Sequence, residues 1–365
     1  MKTALVHDWL VGIGGGEKVL QSMAELYPAP IYTLVKNAEK LKQTFFNDQE
    51  IHTSFLQKIP GSSKLYRNFL PLFPFAIEQF DLRDYDLILS TSHAVAKGVI
   101  THPHQLHICY CFTPMRYAWD LYHEYLSGLG GLRKLASKWT LHGIRKWDIA
   151  SLNRVDHFVC ISHYVARRIK KFYGREAAVI YPPVSTHLFQ INPKKENYYI
   201  TVSRLVPYKK VDLIVEAFAQ MQDKTLLVIG DGPEFGKIKA KASNNIQFLG
   251  HQSDAVMREY LSKAKAFVFA AEEEFGIINV EAQAAGIPVI AYGKGAALET
   301  IVAGKTGLFF PEQSVPAIVQ AVLAFEKTAN LFDPHFIKQH AETFNESRFK
   351  QQFKSYVDQK LSEGF

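Results

Sequence analysis

Short apolar runs alternate with stretches of helical period along this 365-residue chain, and the alternation comes in two series. Runs at 3–6, 31–35, 87–89, 106–111, 157–161 and 178–181 predict strands, most of them with helical patterns between. Ser162 stands where the helix expected over 164–172 needs an N-cap. The pair Pro182-Pro183 breaks the series. A second series starts at 198 and continues through 226–229, 246–249, 266–271, 288–292 and 308–310. Two helical patterns, 334–343 and 347–361, follow its last strand. Strands alternating with helices predict an α/β chain of two Rossmann-type units. The expected division is 1–182, 183–343 and a terminal helical segment 344–365.

The second unit carries the densest chemistry. Glu273 and Glu281 bracket the run Glu274-Phe275-Gly276-Ile277-Ile278-Asn279-Val280, between the strand at 266–271 and a helix that stops at Gly286. This arrangement sets Phe275, Gly276 and Ile277 near a helix N-terminus, where unpaired amides and the positive dipole end attract phosphate or sugar oxygens. Glu273 then lies in the turn and Glu281 about one turn into the helix, both placed to accept hydrogen bonds from a polyhydroxylated ligand. Upstream, Arg204 follows the strand at 198–203, and Lys209 closes the loop Leu205-Val206-Pro207-Tyr208. Ligands of open α/β sheets collect at the carboxyl ends of strands, so two cations at one such junction read as a diphosphate clamp. Arg supplies a planar fork and Lys a mobile point charge, a combination suited to a phosphate leaving group. A solvated acidic turn and two solvated loop cations are the plainer readings of each pair alone.

Ser203-Arg204-Leu205 with Lys209, Gly230-Asp231-Gly232-Pro233, Phe248-Leu249-Gly250 and Glu273-Glu274-Phe275-Gly276 to Glu281-Ala282 together resemble the retaining glycosyltransferases of family 4, which have the GT-B fold. The likeness extends to the amino-terminal half. His7-Asp8-Trp9, Gly14-Gly15-Gly16-Glu17-Lys18-Val19, Ser92-His93-Ala94-Val95-Ala96-Lys97-Gly98 and Thr113-Pro114-Met115-Arg116-Tyr117-Ala118-Trp119-Asp120 are similar to bacterial mannosyltransferases that build O-antigen and exopolysaccharide chains. The resemblance implies two Rossmann-like domains facing a cleft, with a C-terminal helix crossing back to pack on the N-terminal domain. It implies donor contacts from Gly15, Gly16, Arg204, Lys209, Leu249, Phe275, Gly276, Ile277 and Glu281. Arg204 and Lys209 would hold the diphosphate, Glu281 would accept from the ribose hydroxyls, and Glu273 with the Phe275 and Gly276 amides would hold the sugar. Catalysis is expected of Glu273, Arg204, Lys209 and His93, and acceptor contacts of Asp8, Lys97, Arg116, Tyr117 and Asp120. With no obvious carboxylate nucleophile, the two-carboxylate covalent scheme of retaining glycosidases is not expected. The resemblance implies instead a front-face reaction in which the departing diphosphate takes the acceptor proton. One residue departs from the family pattern: Phe112 stands where a His commonly precedes Thr113-Pro114-Met115, so that role is absent or falls to a neighbour such as His93.

Composition narrows the classes. With 47% hydrophobic and 21% charged residues the chain is globular and long enough for two domains. Cys109, Cys111 and Cys160 are odd in number and lack ligand-spaced histidines, which suits reduced thiols in the cytoplasm. The amino terminus runs straight into a strand, so no secretory signal is expected. No stretch approaches about 20 uninterrupted apolar residues, so no segment should span a bilayer. The net charge of +7 implies an anionic partner. Residues 131–147 interleave Arg133, Lys134, Lys138, Arg145 and Lys146 with Leu132, Leu135, Trp139 and Trp147, as a helix lying in an anionic membrane surface would. The segment 65–75 is aromatic and Pro-broken. Packing against the domain with snorkelling cations is the alternative for both. Motifs for DNA or RNA are absent, so nucleic acid is not an expected partner.

Three motif-like clusters read as something plainer. Gly12-Ile13-Gly14-Gly15-Gly16-Glu17 has glutamate where a dinucleotide fingerprint needs its last glycine, which argues against a nicotinamide enzyme. By resemblance this loop approaches the donor diphosphate, where a Cβ would block the main chain. Asp84-Tyr85-Asp86 is formally a metal motif but immediately precedes a strand, as turn carboxylates do. Neither metal nor other cofactor is expected. His102, His104 and His107 have no clean zinc spacing and read as solvated loop histidines. The expected function is metal-independent transfer of mannose from GDP-mannose, a nucleotide sugar, to a lipid-linked saccharide, by a cytoplasmic enzyme peripheral on the inner face of the cytoplasmic membrane. Alternatives are a nucleotide-sugar-binding protein with little turnover, or a transferase using another UDP- or GDP-linked sugar and a soluble acceptor.

Overall fold

The computed structural model describes residues 1–363. The chain divides into two compact units, Met1–Pro183 joined by the chain from Phe349 onward, and Val184–Arg348. In the first, β1 (Thr3–His7), β2 (Ile31–Thr33), β3 (Ile51–Thr53), β4 (Leu87–Ser92), β5 (Leu106–Cys111), β6 (His157–Cys160) and β7 (Ala177–Val179) pair in the order β3-β2-β1-β4-β5-β6-β7. Every pairing is parallel. β1, β4 and β5 are buried along their whole length, which is why they stand out as apolar runs. The strand absent from the sequence expectation is β3, three residues at the sheet edge.

In the second unit β8 (Tyr198–Val202), β9 (Thr225–Ile229), β10 (Ile246–Gly250), β11 (Ala266–Phe269), β12 (Val289–Tyr292) and β13 (Gly307–Phe310) repeat the arrangement as β10-β9-β8-β11-β12-β13, again all parallel. Both orders are those of a doubly wound sheet, with winding reversed between β1 and β4 and between β8 and β11. Crevices at such reversals bind ligands, so the loops after these four strands have a special place.

Local signals set the helices. Ser162 caps His163–Tyr173 by accepting from the Val165 amide at 3.1 Å, and Gly174 at φ +64° ends it. Glu17 accepts from the Gly14 amide at 2.9 Å and opens Gly15–Leu26. The last helix, Glu346–Glu363, sets Phe349 and Phe353 against Tyr110, with ring centroids 5.7 and 6.2 Å away, and ties Lys350 to Glu25. Residues 344–348 remain with the second unit, because Val184 bonds to the Phe344 carbonyl and Ser185 to Glu346. The chain therefore changes unit at Arg348 and Phe349 rather than at the expected 343 and 344.

Candidate functional site

In the second unit, the switch point brings together the residues singled out on two loops about seventy positions apart. Lys209 Nζ lies 2.7 Å from Glu273 Oε1, both side chains largely buried, and stands over the Phe269 ring at 5.6 Å. Arg204, on the same loop as Lys209, is exposed and has no carboxylate partner among the described residues. Glycines let these loops interlock. A Cβ on Gly230 would sit 1.9 Å from the Ser203 carbonyl oxygen, and one on Gly232 would sit 2.3 Å from that of Leu205. The Leu205 amide donates to Asp231 O at 2.9 Å, so the loop carrying Arg204 is fixed backbone to backbone. Gly295, at φ +66°, allows the loop after β12 the same approach to Glu273, whose carbonyl accepts from the Ala296 amide at 3.0 Å.

Gly276, at φ +76°, is the N-cap of the helix Ile277–Ala284. Its amide and that of Ile277 open the helix beside the Lys209–Glu273 pair, where an anion would meet N–H groups, the positive dipole end and a cation. The Phe275 ring is buried edge-on against Phe344 at 5.8 Å, so only its backbone can serve a ligand. Glu281 is half-buried one turn along, and Leu249 is half-buried at the end of β10. This arrangement can hold a phosphate at the helix end and orient hydroxyl groups with Glu273 and Glu281.

In the first unit, the equivalent switch point is organised by Asp8, and here two expectations are corrected. Asp8 is fully buried and accepts from the amides of His93, Ala94, Val95 and Ala96 at 2.7, 3.0, 2.7 and 2.7 Å. It therefore shapes the loop after β4 and is closed to an acceptor. Lys97 is only 1% exposed. Its ammonium is paired with Asp148 Oδ1 at 2.5 Å and with Ser151 Oγ at 3.1 Å, between the rings of Trp147 and Tyr173. It holds the helix Gly131–Ala150 rather than a ligand. Asp148, which also accepts from Trp119 Nε1 at 2.8 Å, escaped the sequence reading. The available signal was its place on the inward stripe of that helix with Leu141 and Ile144.

His93 remains partly exposed, with Nδ1 3.1 Å from Asp8 Oδ2 and its ring edge-on to Trp9 at 4.5 Å. A bare Nδ1 lone pair facing a carboxylate that closely would be repelled, so the proton belongs on Nδ1 and Nε2 is left as an acceptor. Burial lowers the imidazole pKa, against the opposing effect of Asp8, and favours the neutral form. Phe112 lies beside it, ring centroids 6.1 Å apart, and a Cβ on Gly16 would rest in van der Waals contact with its ring at 3.4 Å. Gly15 begins the helix Gly15–Leu26 next to that contact. Arg116 and Tyr117 are half-buried beyond β5, the Tyr117 hydroxyl near Met115 Sδ, while Asp120 is bound to Arg168 at 2.6 Å.

The remaining motif-like residues are structural. Asp86 accepts from the Lys2 amide at 2.7 Å at the start of β4. His107 is not a solvated loop residue. It is fully buried in β5 between Ser90 Oγ at 2.8 Å and the Arg154 carbonyl at 2.7 Å, and burial pushes its pKa down to about 4.

Residues 13–188 match the family model Glycosyltransferase Family 4, and residues 185–341 match Glycosyl transferases group 1. An uncharacterized glycosyltransferase of Methanocaldococcus jannaschii is 28% identical over 200 residues, covering 53% of this chain and 56% of that protein. A GDP-mannose-dependent alpha-(1-6)-phosphatidylinositol monomannoside mannosyltransferase of Mycolicibacterium smegmatis is 30% identical over 205 residues, 47% of this chain and 53% of that protein. The chain thus spans about half the length of the curated relatives it matches. The crystal structure of Anabaena HepE in complex with UDP-glucose superposes with a TM-score of 0.71 at 18% identity, covering 98% of this chain and all of the other, a likeness of fold. Two adjoining family models reaching from residue 13 to residue 341, on two doubly wound sheets, place the chain among the family 4, group 1 glycosyltransferases of GT-B fold.

Proposed function

We propose that the chain is a retaining glycosyltransferase that moves mannose from GDP-mannose to a lipid-linked saccharide at the inner face of the cytoplasmic membrane, without a metal. The observation that carries the reading is the meeting of Lys209 and Glu273 at 2.7 Å, at a helix N-terminus and on the loop shared with exposed Arg204. Lys209 and Arg204 neutralise charge that grows on the diphosphate as the glycosidic bond breaks. Glu273 orients the sugar, Glu281 accepts from the ribose hydroxyls, and the departing diphosphate takes the acceptor proton on the same face. His93 Nε2, set by Asp8, accepts from a sugar hydroxyl. Relatives named as GDP-mannose-dependent mannosyltransferases support the donor.

Release of GDP or UDP from GDP-mannose, GDP-glucose, UDP-glucose and UDP-galactose tests this directly. GDP-mannose should be hydrolysed at least about tenfold faster than the others, a margin of roughly 1.4 kcal/mol in transition-state binding, and the rate should survive a chelator. A faster UDP-sugar would replace the donor. Binding without release would favour a nucleotide-sugar-binding protein, and rescue of a chelated enzyme only by Mg²⁺ or Mn²⁺ would return Asp84 and Asp86 to consideration.

A further inference from the structure

Loops at the carboxyl ends of β1, β2 and β3 enclose a hollow of about 540 Å³ lined chiefly by Asn37, Lys40, Ser63, Lys64, Tyr66 and Arg67. Three of these residues are cations and none is acidic. Lys40, Lys64 and Arg67 are exposed and have no carboxylate partner among the described residues. Arg67 is held in place by Nε donating to the Tyr66 hydroxyl at 3.1 Å, with its guanidinium over that ring. Three like charges around one concavity repel one another unless a multivalent anion sits between them. Arg and Lys together match the oxygens of a phosphate or diphosphate.

Two neighbours narrow the anion. Trp9 packs against Tyr66 at 4.9 Å on one side and against His93 at 4.5 Å on the other, so the hollow and the hydroxyl-accepting His93 share one aromatic wall. Leu65, Leu72 and Phe75, from the same segment as Lys64 and Arg67, are exposed apolar side chains. A molecule with a phosphate in the hollow, its saccharide toward His93 and its lipid toward Leu65 and Phe75 satisfies all three features. We infer that the hollow formed by Lys40, Lys64 and Arg67 binds the phosphate or diphosphate of the lipid-linked acceptor, an inference that rests on the function proposed above.

Calorimetric titration with geranyl diphosphate tests it, using a chain already carrying Arg204→Ala and Lys209→Ala so that the other cationic site is silent. Adding Lys40→Ala, Lys64→Ala and Arg67→Ala, all exposed positions, should weaken binding by about tenfold or more, as loss of several charge-assisted contacts requires. In the otherwise natural chain the same triple variant should keep its rate of donor hydrolysis within about threefold, because no donor contact is removed. Equal affinity of both proteins for geranyl diphosphate would overturn the inference. So would weakened sedimentation with phosphatidylglycerol vesicles at unchanged geranyl diphosphate affinity, which would assign the hollow to membrane headgroups. Diphosphate binding that depends on the three cations, in a protein that hydrolyses no nucleotide sugar, would keep the hollow and remove the transferase reading.

Discussion

At the scale of single residues, the two most informative side chains work in opposite directions. Lys209 is ion-paired with Glu273 and keeps ammonium protons for a phosphate, while lying over Phe269 in a setting that weakens competition from water. Lys209→Ala should therefore lower kcat by about ten- to a thousandfold with a smaller effect on donor affinity, the range seen when one preorganised charge donor is lost. Unchanged single-turnover rates in a folded variant would take Lys209 out of the reaction. His107 has no such task. Burial holds it neutral with a pKa of about 4, below the ordinary value near 6.5, so the unfolded chain takes up its proton first as pH falls. Its contribution to stability is complete above about pH 6.5 and disappears as pH falls through 4, with roughly 2 kcal/mol lost between pH 7 and pH 5. Urea unfolding at both values should show this loss in the natural chain and a smaller one in His107→Gln; identical pH slopes would refute the assignment.

At the scale of elements, burial on both sides explains what the amino-acid order reveals. β1, β4, β5 and β11 are buried throughout and each carries a short apolar run that stands out in the sequence, and Ser162 and Gly276 mark helix starts by their own chemistry. The second-unit site was legible because its chemistry sits on two short loops with distinctive residues. β3 was not legible, because Ile51-His52-Thr53 is too short to show a period. Asp8 and Lys97 were misjudged for a different reason: a charge in sequence suggests solvent, and the partners that bury these two lie 85 to 88 and 51 positions away. The Lys97–Asp148 pair joins the loop after β4 to the helix Gly131–Ala150. Lys97→Met should destabilise the protein by about 3–5 kcal/mol, because it leaves Asp148 buried and uncompensated. Combining it with Asp148→Leu should recover much of that loss, whereas additive losses in denaturant unfolding would show that the two do not act as a pair.

At the scale of the whole molecule, the question is how a chain without a membrane-crossing helix among its described residues would reach a lipid-borne acceptor. The first unit offers a surface for it. Along the helix Gly131–Ala150, Leu132 is 85% exposed, Leu135 53% and Trp139 72%, interleaved with Arg133, Lys134, Lys138 and Lys146. The helix packs beside the turn Tyr66–Leu72, and just beyond that turn Phe75 is 67% exposed. Apolar side chains this open, among cations and without a protein surface over them, fit the boundary of an anionic bilayer. Each Lys or Arg near such a surface contributes about 1 kcal/mol, screened by salt, while inserted Trp and Leu add a part that salt leaves alone. Binding should therefore be partial, dependent on anionic lipid and weaker at high salt. Co-sedimentation with anionic and neutral liposomes checks this, comparing the natural chain with a variant in which Arg133, Lys134, Lys138, Arg145 and Lys146 are all glutamate. The natural chain should pellet with anionic liposomes at low salt and the variant should not. Arg145 also donates to the Ala118 carbonyl at 2.9 Å, so a second variant that keeps Arg145 separates lost attraction from lost structure. Equal pelleting of all three proteins would clear this helix of the role. Absence of pelleting by the natural chain at low salt would remove the membrane from the reading and leave a soluble acceptor in its place.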